Sequence, residues 1–282
     1  MTIRLGGPVF YSSDDPVELA RLHRMRGYRA GYCPMVTLEE KQKIRDIENA
    51  FKSEDVVIAE VAAFGFNMMD RDEDTRRKNL EEMCIRLAVA DEVGARCCVN
   101  IAGYLGKDAE DRIHPDNLSD VAFDLTVENV RYIVDSVKPK RAKFALEMMP
   151  WIIPDSPDSF MDLIKAVDRS GFAAHLDPVN IINSPRRYFE NGKLLKECFS
   201  KMGKWIVSCH AKDSIMTGEF VTHINETRPG KGVLDYRTYL GGLDALPQSP
   251  PLLMEHLDTP DEYDLAREYI FSVGNEIKVS FQ

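Results

Sequence analysis

Apolar runs of strand length alternate with stretches of helical apolar spacing along the chain. The first run, Ile3 to Phe10, is interrupted by Gly6-Gly7-Pro8. Asp14-Asp15-Pro16 reads as a helix start, since an aspartate can accept the free N–H groups of a first turn and proline fits there. That helix reaches Met25 and stops at Gly27. Tyr28 to Cys33 is the second run, followed by a charged helix from Leu38 to Phe51. Val56 to Phe64 is the third; Leu80, Met83, Cys84, Leu87, Ala88 and Val93 then share helical spacing within Asp72 to Val93, ended by Gly94. The fourth run, Cys97 to Ala102, leads into a loop from Gly103 to Pro115 and a helix from Leu118 to Val137. Phe144 to Met148 is the fifth, with a helix over Ser159 to Asp168 ended by Gly171. Phe172 to Asp177 is the sixth, with its helix between Pro185 and Met202. Trp205 to His210 is the seventh; a polar stretch from Lys212 to Gly232 and a short helix from Tyr236 to Leu240 follow. The eighth run is Pro251 to Leu257, and Asp261 to Val273 closes the chain as a helix.

Regular alternation of this kind predicts a parallel sheet with right-handed crossovers. Eight such units in 282 residues predict one domain over residues 1–282, a closed (β/α)8 TIM barrel of eight parallel strands, a fold that takes about 250 residues. Neither GxGxxG nor GxxxxGK[ST] follows a strand, so an open nucleotide-binding sheet lacks its usual signature. Composition changes this picture little: 44% hydrophobic and 29% charged residues suit a large core under a solvated surface. No stretch approaches the roughly 20 apolar residues of a membrane span, and the opening residues lack a signal-peptide pattern. The expectation is a cytoplasmic protein with no membrane partner. The six cysteines form no CxxC pair and read as reduced, buried thiols, with Cys97 and Cys98 pointing to opposite sides of a strand. A net charge of −10 repels phosphate backbones and argues against a nucleic-acid partner.

Candidate chemistry gathers at the strand ends. Long loops follow the fourth, sixth and seventh runs, on the face where barrels build active sites. Glu147, Asp177, His210 and Glu255 stand at or near the ends of four consecutive strands and would share one mouth. They alternate in step with Ala145, Ala173, Ser208 and Leu253 on one face. A carboxylate among Leu253, Met254 and Leu257 is costly unless paired or coordinated. Three carboxylates and an imidazole suit one divalent ion, manganese first with magnesium or cobalt as alternatives, better than a structural zinc. No organic cofactor is expected.

The sequence resembles the xylose-isomerase-like barrel superfamily, in its sugar phosphate isomerase/epimerase branch. The likeness covers nearly the whole chain and is carried by Ala145-Leu-Glu-Met-Met-Pro150, His175-Leu-Asp-Pro178, His210-Ala-Lys-Asp213 and Leu253-Met-Glu-His256. Pro229-Gly-Lys-Gly-Val-Leu-Asp235 is similar to the family's glycine-punctuated loop. The resemblance implies that Glu147, Asp177, His210 and Glu255 are the metal ligands, and that Glu147 and Glu255 serve as acid and base. It also implies a homo-oligomer, dimer or tetramer. Asn180 departs from the pattern, standing where members often have histidine; it can donate a hydrogen bond but cannot carry a proton.

The expected function is a metal-dependent epimerase or isomerase of a sugar or keto-sugar, acting through an enediolate. A lyase eliminating from a 3-keto-glycoside is the alternative on the same site. An endonuclease IV-like DNA repair enzyme and a non-catalytic sugar-binding barrel are weaker readings. Asn100, Trp151, Asn180, Lys212 and Arg228 are the candidate substrate contacts. His175, one layer below Asp177, reads as a buried hydrogen-bonded histidine, His256 as structural and facing away from the mouth, and His114 and His223 as surface residues.

Overall fold

The computed structural model describes residues 2–11 and 13–282. The barrel strands are β1 (Leu5–Gly6), β2 (Ala30–Tyr32), β3 (Val57–Ala62), β4 (Cys97–Asn100), β5 (Lys143–Glu147), β6 (Phe172–Leu176), β7 (Ile206–Ala211) and β8 (Leu252–Met254). They pair in parallel in chain order, and β8 closes on β1. The helices are α1 (Pro16–Met25), α2 (Lys41–Ser53), α3 (Glu73–Val93), α4 (Asp120–Val137), α5 (Pro157–Val167), α6 (Pro185–Phe189), α7 (Asn191–Met202), α8 (Tyr236–Asp244) and α9 (Pro260–Glu276). This is the (β/α)8 TIM barrel that the alternation predicts.

Local chemistry explains most boundaries. Asp15 caps α1 by accepting from Val17 N, with Pro16 in the first turn. Asp72 caps α3, and Gly94 ends it in the left-handed conformation. The expected start of α5 at Ser159 is late, because Ser156 forms a capping box with Ser159 and Pro157 occupies the first turn. Asp168, at φ 49°, ends that helix, not Gly171. The region from Pro185 to Met202 divides at Glu190 into α6 and α7. The first run splits as well: Thr2–Ile3 leaves the barrel and pairs with Ser280–Phe281, tying the two ends of the chain. The polar stretch after β7 is no plain loop, since Asp213–Met216 and Ile224–Thr227 form an antiparallel hairpin.

The main core lies between strands and helices, and two smaller clusters fill the barrel itself. Ala30, Ala59 and Leu253 pack with Tyr32, and Cys97, Val99 and Ala145 pack with Val207. Cys97 thus belongs to an inner cluster and Cys98 to the main core, as strand alternation requires. All six cysteines are free. Two register slips shape the layer above. Gly31 pairs with Ile58 but Tyr32 with Glu60, which leaves Ala59 as a bulge in β3. Ala174 pairs with Ile206 but His175 with Ser208, which leaves Val207 as a bulge in β7. Each bulge lets two consecutive residues face inward and aims Glu60 and Ser208 at the barrel axis.

Gly6 is required where β1 meets β2: a Cβ there would stand 2.0 Å from Ala30 O and 2.7 Å from Leu253 Cδ2. Gly6→Ala is expected to lower the unfolding free energy by at least about 2 kcal/mol. Gly241→Ala, in α8 with nothing within 4 Å of its Cβ position, is expected to raise it by about 0.5–1 kcal/mol. Urea unfolding of both variants checks the pair; a neutral Gly6→Ala would contradict the packing described.

Candidate metal centre

Glu147 is the last residue of β5, Asp177 follows β6, His210 lies in β7 and Glu255 follows β8. Glu147, Asp177 and His210 are buried, and one donor atom from each of the four lies within 4.8 Å of the others. His210 Nδ1 is 2.8 Å from Glu255 Oε1, 3.5 Å from Glu147 Oε1 and 3.8 Å from Asp177 Oδ2. These distances are short, yet neither His210 ring nitrogen nor Asp177 Oδ2 meets hydrogen-bond geometry. Buried donors that converge without bonding to one another are what a cation site requires, so the set fits a divalent ion.

The scaffold holds these donors in place. Tyr239 Oη donates to the His210 carbonyl and Tyr236 Oη to that of Lys212, both at 2.8 Å, so α8 fixes the end of β7. Asp177 Oδ1 accepts from Val179 N at 3.0 Å. Asp213 accepts the N–H groups of Gly230, Gly232 and Leu234, joining the His210-Ala-Lys-Asp213 and Pro229–Asp235 motifs into one structure.

Lys212 is buried among carboxylates. Its Nζ lies 2.6 Å from Glu255 Oε1, 2.8 Å from Asp177 Oδ2 and 2.9 Å from Glu226 Oε1. Burial works against its charge, but Asp177 and Glu255 raise its pKa well above the usual lysine value. Burial likewise works against ionised Asp177, and Lys212 and His210 hold that carboxyl below its usual range. Beneath the ligands lies a second cluster of Glu60, His175 and His210, all fully buried. His175 donates from Nε2 to Glu60 Oε1 at 2.9 Å, since a carboxylate can only accept, and Ser208 Oγ donates to the same oxygen. His210 Nε2 lies 3.4 Å from Glu60 Oε2. Burial opposes ionisation of Glu60, and the two imidazoles overcome it, holding the carboxyl well below its usual range.

A cavity of about 790 Å³ opens beside the cluster. Of the expected substrate contacts, Asn100, Trp151, Asn180 and Lys212 line it. Asn180 donates from Nδ2 to Glu147 Oε1 at 2.8 Å. Asn100 spends its amide on Phe66 O, Met83 Sδ and Ile101 N. Arg228 does not join them; it pairs with Glu262 of α9 at 2.7 Å in a neighbouring cleft. His175 is the buried, bonded residue expected. His256 is a correction: β8 ends at Met254, the chain turns at His256 with φ 57°, and its ring lines the cavity, 2.8 Å from Glu226 Oε2.

A family model described as a xylose isomerase-like TIM barrel matches residues 28–272. The chain belongs to that family. A search of curated proteins found no match. Among solved structures, a xylose isomerase-like TIM barrel protein from Mycobacterium smegmatis in complex with magnesium is 18% identical, covering 98% of this chain and 97% of its own, at a TM-score of 0.67. The 3-keto-D-glucoside 4-epimerase from E. coli is 14% identical over 97% of this chain and 100% of its own, at 0.67. Endonuclease IV from Thermus thermophilus is 13% identical over 97% and 99%, at 0.69. At these identities the likeness is one of fold.

Within this xylose isomerase-like barrel, sequence reasoning missed Glu60, Glu226 and His256. Glu60 had a signal, a lone carboxylate inside the apolar run from Val56 to Phe64. Glu226 had none, because only the hairpin brings it to Lys212. Groups behind a ligand histidine orient its ring, and their loss commonly weakens metal binding by about 10–100-fold. Glu60→Gln is expected to stay folded by circular dichroism and to bind Mn²⁺ weaker by that factor in calorimetric titration. Unchanged affinity would show that Glu60 does not support His210.

Proposed function

We propose that the protein is a metal-dependent epimerase or isomerase of a sugar or keto-sugar, working through an enediolate with Glu147 and Glu255 as acid and base. The observation that carries this reading is the convergence of Glu147, Asp177, His210 and Glu255 within 4.8 Å, directly behind Asn180 and Lys212 on the cavity wall. A divalent ion held there, manganese first, with magnesium or cobalt as alternatives, would supply electrostatic stabilisation of the enediolate. No organic cofactor enters this scheme.

The remaining chemistry belongs to side chains. The Asn180 hydrogen bond occupies Glu147 Oε1, which leaves the second oxygen to take a proton from carbon. Asn180 orients Glu147 and carries no proton itself. Glu255 comes from β8 and Glu147 from β5, so the two reach the site from separate parts of the barrel wall. If one removes the proton and the other returns it on the opposite face, the carbon inverts; return to the neighbouring carbon by one group gives aldose–ketose isomerisation.

A lyase is the second reading. His256 lines the cavity and is held by Glu226, which puts a proton-bearing group where a leaving group β to the enediolate could be protonated. The endonuclease reading lacks comparable support: of the basic residues lining the cavity, Arg112, Lys212 and His256, two are already bonded to carboxylates.

Removing metal with a chelator is expected to abolish turnover on a keto-sugar panel, and Mn²⁺ to restore it. Glu255→Gln is expected to lower kcat by at least roughly 10² with the fold intact. A loss below about tenfold would remove Glu255 from the acid–base chemistry. In D₂O, deuterium at a substrate carbon without a released fragment is the expected result; release of an aglycone or dehydrated sugar would replace the epimerase reading by the lyase.

A further inference from the structure

The lining of the cavity is divided by the barrel's strand order. Every residue of the four-donor cluster comes from β5 to β8. Phe64 and Phe66 come from the loop after β3, and Tyr104 from the loop after β4, on the side that supplies no donor. Met149 and Trp151 after β5 and Ile182 after β6 continue this apolar wall, and Ile224 of the hairpin adds to it. Phe64 remains 43% exposed, an apolar ring only partly covered by the fold.

The two amide side chains on that wall are already committed. Asn67 donates from Nδ2 to Tyr104 O at 2.9 Å and accepts from Tyr104 N at 2.8 Å and Met69 N at 3.1 Å. These bonds pin the two aromatic loops together, so the wall is set before any ligand arrives. Asn100 is spent on its neighbours in the same way. Against these rings a second sugar ring would find few partners for its hydroxyls, the Tyr104 hydroxyl and Arg112 among them, whereas a hydrocarbon ring needs none. The volume of about 790 Å³ points the same way, since sites of roughly 300–1,000 Å³ hold drug-sized ligands and one pyranose fills a small part of that. Charge at the acidic end opposes the other common elaboration of a sugar. A phosphate near the ligands would face Glu147, Asp177, Glu226 and Glu255, while Lys212 already holds three of these. Arg112 lies at the Trp151 ring, 5.9 Å from its centroid, on the apolar side.

The geometry points to a neutral sugar carrying an apolar, ring-sized substituent, such as an aryl glycoside, as the substrate class: the sugar lies toward Asn180 and Lys212, and the substituent lies against Phe64, Phe66 and Trp151. This assignment rests on the sugar chemistry proposed above. Phenyl and methyl β-D-glucopyranoside test it, because neither has a carbonyl and binding is read without turnover. Calorimetric titration into the full-length, Mn²⁺-loaded protein is expected to show the phenyl glycoside binding roughly ten- to hundredfold tighter than the methyl. Phe64→Ala and Trp151→Ala, each checked for an unchanged fold by circular dichroism, are expected to remove most of that advantage. Glucose 6-phosphate is expected to bind no tighter than glucose. Equal affinity for the two glycosides, a phenyl advantage that survives both variants, no binding of either glycoside, or a preference for the phosphate would overturn the assignment. Failure of the underlying reaction is read separately: an aryl preference with no solvent deuterium entering any keto-sugar rejects the enediolate chemistry and leaves the substrate class standing, and deuterium exchange without an aryl preference does the reverse.

Discussion

Carboxylates can be buried together only where positive charge is held close by, and the mouth of this barrel is organised around that requirement. Glu60, Glu147 and Asp177 are buried, and Glu255 and Glu226 adjoin them. Lys212 serves three of these acids at once, and His210 stands between Glu60 on one edge and Glu147, Asp177 and Glu255 on the other. One lysine and the histidines balance this group poorly. A divalent ion where the four donors converge would add the missing charge. The rest of the architecture keeps the donors from relaxing apart: the bulges at Ala59 and Val207 aim the inner layer, the α8 tyrosines hold the end of β7, and Asp213 secures the loop that follows.

The parts of the fold readable in the sequence were those governed by local chemistry. Apolar periodicity gave the eight strands, and Asp15, Asp72 and Gly94 marked helix ends through capping that needs no tertiary partner. Glu147, Asp177, His210 and Glu255 were legible because each stands at the end of an apolar run, where a charge demands an explanation. Register was not legible. A bulge adds one residue to one strand and leaves no compositional mark, so the inward turn of Glu60 and its contact with His175 could not be read. The hairpin over Asp213–Met216 and Ile224–Thr227 was hidden for a related reason: its residues are mostly polar, with Asp213 and Ser214 buried and the rest half-buried or exposed, so no alternating apolar pattern distinguishes it from a loop. Arg228 shows the converse, a charged residue in the right loop whose partner, Glu262, lies on a helix far along the chain.

Membership of the xylose isomerase-like family fixes the frame and leaves the chemistry to the side chains. A 3-keto-D-glucoside 4-epimerase and an endonuclease IV share this fold with the chain at similar TM-scores, so the backbone does not choose between them. The choice lies in the residues around the mouth. Asn180 donates to Glu147, and the two loops that Asn67 ties together add an apolar wall on the side opposite the acids.

On the proposed reading, Glu147, Asp177, His210 and Glu255 bind one divalent ion together. Anomalous diffraction at the manganese edge from crystals soaked in Mn²⁺ tests it most directly. A single strong peak within bonding distance of all four side chains is expected, with Lys212 drawn back from Asp177 and Glu255. No peak, or a peak between Glu60 and His175 with the four donors left apart, would contradict it.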